Sequence, residues 1–108
     1  MHHVEEVYMA IPAVAVPRRE IEELCRGRHV RWLALFGSVL TDHFRADSDI
    51  DVLIEFAPGH TPGLIRLAGI EIELTQIVGR KADLRTAGDL SRYFRDQVVK
   101  SAVVKYAA

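Results

Sequence analysis

The sequence predicts an α+β fold, α/β-like in the order of its elements: a small mixed sheet of three to four strands flanked by helices. Three observations carry that expectation. Two apolar runs of strand length, Val30–Phe36 and Ile50–Phe56, are separated by a short polar segment. Two other segments repeat apolar residues at spacings of three and four, the helical pattern. Glycine and proline punctuate the joins. The chain has 108 residues and is expected to form one domain, large enough to bury about two-thirds of its unfolded surface.

The elements follow in order. Residues 1–16 are apolar and irregular, broken by Pro12 and Pro17, and suit an arm or a short strand. A helix is expected from Pro17 to about Arg26, because Ile21, Leu24 and Cys25 share a face and proline suits a first turn. Gly27 is its expected C-terminal cap. Val30–Phe36, with Trp32 and Phe36, reads as a strand, broken by Gly37-Ser38. Val39–Phe44 is expected to make one or two helical turns. Asp47-Ser48 turns the chain into Ile50–Phe56, a strand apolar on both faces and so central in the sheet. Residues 57–62 form a loop. A long helix, roughly Gly63–Val78, shows Leu67, Ile70, Leu74 and Ile77 on one face, with Gly79 as its cap. Lys81–Arg85 is a short third strand with Asp83 facing opposite to Ala82 and Leu84. Gly88-Asp89 opens a last helix, with Leu90, Tyr93, Phe94 and Val98 on its buried stripe.

Composition excludes several classes. Hydrophobic residues make up 49% and charged residues 27%, as in ordinary soluble proteins. The net charge of −1 selects neither a nucleic acid nor a membrane, and direct nucleic-acid binding is not expected. The charge is uneven: residues 1–77 carry seven Arg and twelve Asp/Glu, whereas residues 78–108 carry seven Lys/Arg and three Asp. A single cysteine, Cys25, excludes an internal disulfide and falls on a helical apolar stripe, where a packed thiol is expected. No apolar run approaches the ~20 residues of a membrane span. The first residues are acidic where a secretory signal is basic, so the expected location is cytoplasmic.

The segment with most chemical content is LALFGSVLTDHFRADSDIDVLIEF, Leu33–Phe56. On a strand, residues i and i+2 share a face roughly 6–7 Å apart. Asp49 and Asp51 so placed suit one divalent cation or a close pair, while Ile50 between them faces the core. The same spacing in Glu71-x-Glu73 falls on a helix, where the side chains diverge by about 200°, so acid-x-acid alone is weak evidence. Gly37 lets backbone N–H groups approach an anion and Ser38 adds a hydroxyl donor. Its plainer alternative is a strand-to-helix turn with Ser38 as N-cap. Asp83 is a third acid, suited to a metal shell or to general-base work. Its plainer alternative is an edge-strand acid paired with Lys81 or Arg85.

Together these residues resemble the nucleotidyltransferase superfamily named after DNA polymerase β: Gly-Ser, about ten residues, Asp-x-Asp, then a later strand Asp. Here they are Gly37, Ser38, Asp49, Asp51 and Asp83. FRADSDIDVLIEF and VGRKADL are similar to the minimal, MNT-type branch, and the resemblance runs from about residue 18 to residue 100. It implies the nucleotidyltransferase fold. It implies that Asp49, Asp51 and Asp83 hold Mg²⁺ and that Gly37 and Ser38 cradle the phosphates of ATP. Val39-Leu40 follow Gly-Ser where relatives often carry small residues and Arg, and Arg45 is kept as a candidate phosphate contact. Arg85 stands where relatives usually carry an apolar residue, and suits either a phosphate contact or an edge strand. His43 near the site is read as a surface residue.

The resemblance further implies an antitoxin that adenylylates a tyrosine of a HEPN-domain toxin. A chain of 108 residues leaves no room for an acceptor-binding domain, so a partner protein is expected to present the acceptor. Two other readings stand beside it. One is a catalytically silent module that neutralises its partner by steric cover. The other is a small-molecule nucleotidyltransferase, as for aminoglycosides, working as a homodimer.

Overall fold

The computed structural model describes residues 16–41, 45, 47–93 and 95–108. The elements are α1 (Arg18–Gly27), β1 (Val30–Phe36), a 3-10 turn (Gly37–Leu40), β2 (Ile50–Phe56), α2 (Leu64–Val78), β3 (Ala82–Thr86), a second 3-10 turn (Ala87–Asp89), α3 (Arg95–Ser101) and β4 (Val103–Ala107). The strands form one sheet in the order β3-β2-β1-β4. β1 runs antiparallel to both β2 and β4, and β2 runs parallel to β3. That parallel pair needs a crossover, which α2 supplies. The expected α+β fold with a small mixed sheet is therefore present.

β2 is the middle of the core. Ile50, Leu53 and Ile54 are fully buried and Val52 nearly so, which explains why the run shows no polar face. α1 covers β1 with Ile21, Leu24 and Cys25, while Arg18, Arg19 and Arg26 pair with Glu22 and Glu23 on its outer face. α2 buries Ile70 and Leu74, with Leu67 and Ile77 packed at the margin of the same cluster. Gly79 ends α2 in the left-handed conformation (φ 72°), returning its N–H to the Thr75 carbonyl at 3.0 Å. No helix among the described residues is long and apolar enough to cross a membrane.

Four details differ from the sequence expectation. Gly27 lies inside α1. Arg28 closes that helix on the Leu24 and Cys25 carbonyls, and His29 takes the left-handed conformation at φ 59°. The His29 carbonyl accepts Ala57 N at 2.8 Å, so the turn is held against the exit of β2. The turn after Gly37-Ser38 is a single 3-10 turn ending at Leu40. The rest of the expected helix, with His43 and Phe44, lies outside the described residues, as does the arm of residues 1–15. The last helix starts at Arg95 rather than Gly88, and Tyr93 is 85% exposed rather than buried. Phe94 lies outside the described residues. Finally, the chain ends in β4, which the sequence reading missed. VVKSAVVKYA carries apolar residues at spacings that suit a helix or a strand. The edge of β1, with unpaired backbone groups at Trp32–Leu35, decides for the strand.

Cys25 is fully buried, and burial pushes its thiol up to about 12. A thiol with a raised native pKa stabilises the fold fully below its unfolded value and loses that contribution as pH rises towards the native one. Stability is therefore expected to fall as pH rises through about 9 towards 12. The fall should shrink in Cys25→Ala, read as the difference in urea midpoint between the two proteins. Native protein at pH 8 should leave Cys25 unreactive to a thiol reagent until denatured.

Candidate active site

The site is built where β1 ends. Gly37 stands at φ 77°, in the left-handed region that suits glycine. A second constraint acts on the same atom. A Cβ built at Gly37 would run into the Asp51 carboxylate, coming within 3.2 Å of its Cγ and closer still to its Oδ2. The Asp51 side chain therefore occupies space that only glycine leaves open. Thr41 closes the turn by donating both its N–H and its Oγ1 to the Ser38 carbonyl, each at 2.9 Å. Phe36, not Ser38, is the N-cap of this turn, and no side chain caps it, so the plain N-cap role for Ser38 fails.

Strand register assembles the acids. Asp51 pairs with Phe36 on β1 and with Asp83 on β3, so the two carboxylates are neighbours across a parallel ladder. The adjacent pair, Ile50 and Ala82, is fully buried and locks that register into the core. Asp49 lies just before β2, exposed, and Ile50 N donates to the Lys81 carbonyl at 2.8 Å. The three acids thus gather at one end of the sheet, with Asp51 at the strand's mouth rather than on the same strand as Asp49.

β3 is one of the sheet's two outer strands, and its outward amides are answered by side chains. Ala82 N donates to Thr75 Oγ1 at 3.0 Å, Leu84 N to Glu71 Oε2 at 2.8 Å, and Thr86 N to Asp89 Oδ2 at 3.1 Å. These bonds fix the strand that carries Asp83 and satisfy an edge that would otherwise invite another strand. Glu71 and Glu73 do diverge: Glu73 accepts two bonds from Arg28 on the other side of α2, at 2.6 and 3.1 Å. The positioning roles of Glu71 and Thr75 escaped the sequence reading. Their spacing of four on α2 beside a short strand was the available signal.

Arg45 sits in the loop before β2, where Ser48 Oγ accepts its N–H at 2.9 Å and its own carbonyl accepts Ser48 N at 3.0 Å. Arg80 clamps this turn by donating Nη1 to the Arg45 and Ser48 carbonyls, at 2.7 and 3.3 Å. The Arg45 residue is exposed. Arg80 is a third positioning residue absent from the sequence reading. Its place directly after the Gly79 cap aims it back at the site.

Burial, more than anything else, raises the Asp51 carboxyl above its ordinary value. Asp83 raises it further, Arg85 pulls it back, and Asp49 adds a smaller push. Arg85 donates to both oxygens of Asp83, at 3.3 and 3.4 Å. The donor set is all carboxylate oxygen, which suits a hard divalent cation such as Mg²⁺. Crowding of like charge around a half-buried acid is what such a cation relieves. Among the described residues no group of three or more acidic, histidine or cysteine side chains is placed to hold a metal ion; Asp51 and Asp83 are paired across the ladder, and Asp83 is engaged by Arg85. A cavity of about 700 Å³ lies at the opposite end of the sheet beside Arg28, the stacked His29 and His60, and Arg66. We place the chemistry at the carboxylates, because that cavity is lined by a single acid, Glu73, which Arg28 already engages.

Two outcomes follow from this geometry. Gly37→Ala should lower stability by about 1–3 kcal/mol for a strained backbone and an overpacked contact, read as a lower denaturant midpoint. Asp51→Asn should raise the midpoint at pH 7 in metal-free buffer, because a carboxyl shifted upwards opposes folding once pH exceeds its native value. A midpoint unchanged or lowered in Asp51→Asn would refute the electrostatic account.

Comparisons with known proteins bear on the fold and the family. A family model described as the nucleotidyltransferase domain matches residues 18–106. A protein of Methanocaldococcus jannaschii, provisionally named a protein adenylyltransferase, is 28% identical over 86 residues, covering 80% of this chain and 90% of its own. A solved structure, provisionally named a minimal nucleotidyltransferase, is 30% identical with a TM-score of 0.66, covering 80% of this chain and 86% of its own. The same fold occurs in a solved complex of the tri-AMPylated Shewanella oneidensis HEPN toxin with an MNT antitoxin. There the identity is 22% and the TM-score 0.61, over 84% of this chain and 70% of that one. With the family model spanning most of its length, the chain belongs to the nucleotidyltransferase domain family and is an enzyme of that class.

Proposed function

We propose that this nucleotidyltransferase moves AMP from ATP to a tyrosine hydroxyl of a HEPN-type toxin and so acts as its antitoxin. The observation that carries the reading is the pairing of Asp51 with Asp83 beside the Gly37 turn. Support for the acceptor comes from the AMPylated HEPN toxin in the complex that shares this fold.

In this reading Asp49, Asp51 and Asp83 would hold Mg²⁺, which would supply positive charge against the phosphates. The turn at Gly37 presents backbone N–H groups and the Ser38 hydroxyl to the β- and γ-phosphates. Arg45, on the loop clamped by Arg80, adds a cation at the same end. The tyrosine oxygen attacks the α-phosphorus in line, the bond to the β-phosphate oxygen breaks, and pyrophosphate leaves. The hydroxyl proton passes to Asp83, which lies on the rigid edge strand. Positioning supplies most of the rate, since Asp51 and Asp83 are fixed by strand register and Asp49 directly precedes β2.

The test mixes the protein with α-labelled ATP, Mg²⁺ and the HEPN protein encoded beside it. Label should appear on a partner tyrosine. Asp51→Asn should lower the rate by about a hundredfold or more, the scale of losing one preorganised charged group. An unlabelled partner, still neutralised by the Asp49→Asn, Asp51→Asn double variant, would replace this reading with steric antitoxin action.

A further inference from the structure

Arg85 is a feature singled out in the sequence that the proposed chemistry leaves unused. It shares a strand face with Asp83, two residues away, and the two side chains meet in a forked pair at 3.3 and 3.4 Å. The side chains of Arg85 and Asp83 are 49% and 34% exposed, so the pair is screened and weakly held. The charge of Arg85 also acts on Asp51 and Asp89. The guanidinium thus pairs with Asp83, whose partner across the ladder is Asp51. The neighbouring cations turn elsewhere: Lys81 reaches Glu71 at 3.9 Å, and Arg80 clamps the Arg45–Ser48 turn.

We propose that Arg85 is the resting counter-ion of the carboxylate site. It holds Asp83 until a divalent cation arrives, and once displaced it serves the phosphates of the nucleotide. The inference rests on the metal-dependent reading above. A guanidinium and a divalent cation cannot both engage the Asp83 carboxylate without direct repulsion. A planar fork of N–H donors is also the side chain best matched to phosphate oxygens. Cation and nucleotide are therefore coupled through one residue: metal alone must expel Arg85 into water, whereas metal with nucleotide gives it a new partner. A purely structural edge pair would have no such effect.

The test measures Mn²⁺ affinity by titration calorimetry on the full chain, with and without α,β-methylene ATP, for wild type, Arg85→Gln, Arg85→Lys and Asp51→Asn. Arg85→Gln should bind Mn²⁺ alone about five- to tenfold more tightly than wild type, the scale of one exposed ion pair plus one like-charge repulsion. Arg85→Lys should fall between the two. The gain in Mn²⁺ affinity on adding the nucleotide should be several-fold smaller in Arg85→Gln than in wild type. Trp32 fluorescence checks folding, which an exposed residue on an outer strand should leave intact. If Arg85→Gln matches wild type within twofold while Asp51→Asn abolishes binding, the role of Arg85 is overturned and the metal reading stands. If no folded variant binds Mn²⁺, wild type included, both are overturned.

Discussion

Everything at the candidate site depends on the parallel pairing of β2 with β3. Asp49 and Asp51 come from one stretch of chain, but Asp83 is 32 residues beyond Asp51 and reaches it only through that ladder. The pairing is maintained from both sides. Towards the core, Ile50 and Ala82 are fully buried, and slipping by one residue would turn them outward and the acids inward. Away from the core, Thr75, Glu71 and Asp89 accept the three outward amides of β3. An outer strand so tied can carry a functional side chain as firmly as an inner one.

The same register creates a conflict. It sets carboxylates side by side, one of them half-buried, and the fold gains nothing from their repulsion. Two adjustments make the arrangement tenable. Gly37 gives up its side chain so that the Asp51 carboxylate has room, and Arg85 partly offsets the charge of Asp83. Local disadvantage of this kind is typical of functional sites, where groups are arranged for a ligand rather than for the empty protein.

Most of this was legible in the sequence, for identifiable reasons. Val30–Phe36, Ile50–Phe56 and the α2 stripe have strong, unambiguous periods. Gly37, Asp49, Asp51 and Asp83 stand at turns and strand ends that such periods locate. What escaped had weak or double-valued signals. Val103–Ala107 fits a helix as well as a strand, and only the open edge of β1 decides it. Tyr93 sits on an apolar helical stripe in sequence but in a turn in space. The positioning roles of Glu71, Thr75 and Arg80 depend on where α2 packs, which no local pattern encodes. The forked pair of Arg85 with Asp83 appeared in the sequence as one of two plain alternatives. The register that brings Arg85 near Asp51 could not be read there.

The central claim is that nucleotide and metal bind at the carboxylate end of the sheet, not in the cavity by His29 and His60. The two ends are about 20 Å apart along β1. Paramagnetic broadening of backbone amides by substoichiometric Mn²⁺ with a non-transferable ATP analogue distinguishes them in one experiment. Signals of Gly37, Ser38, Asp51 and Asp83 should vanish first, while those of His29, His60 and Arg66 persist. Loss of the latter group with the former intact would contradict the account.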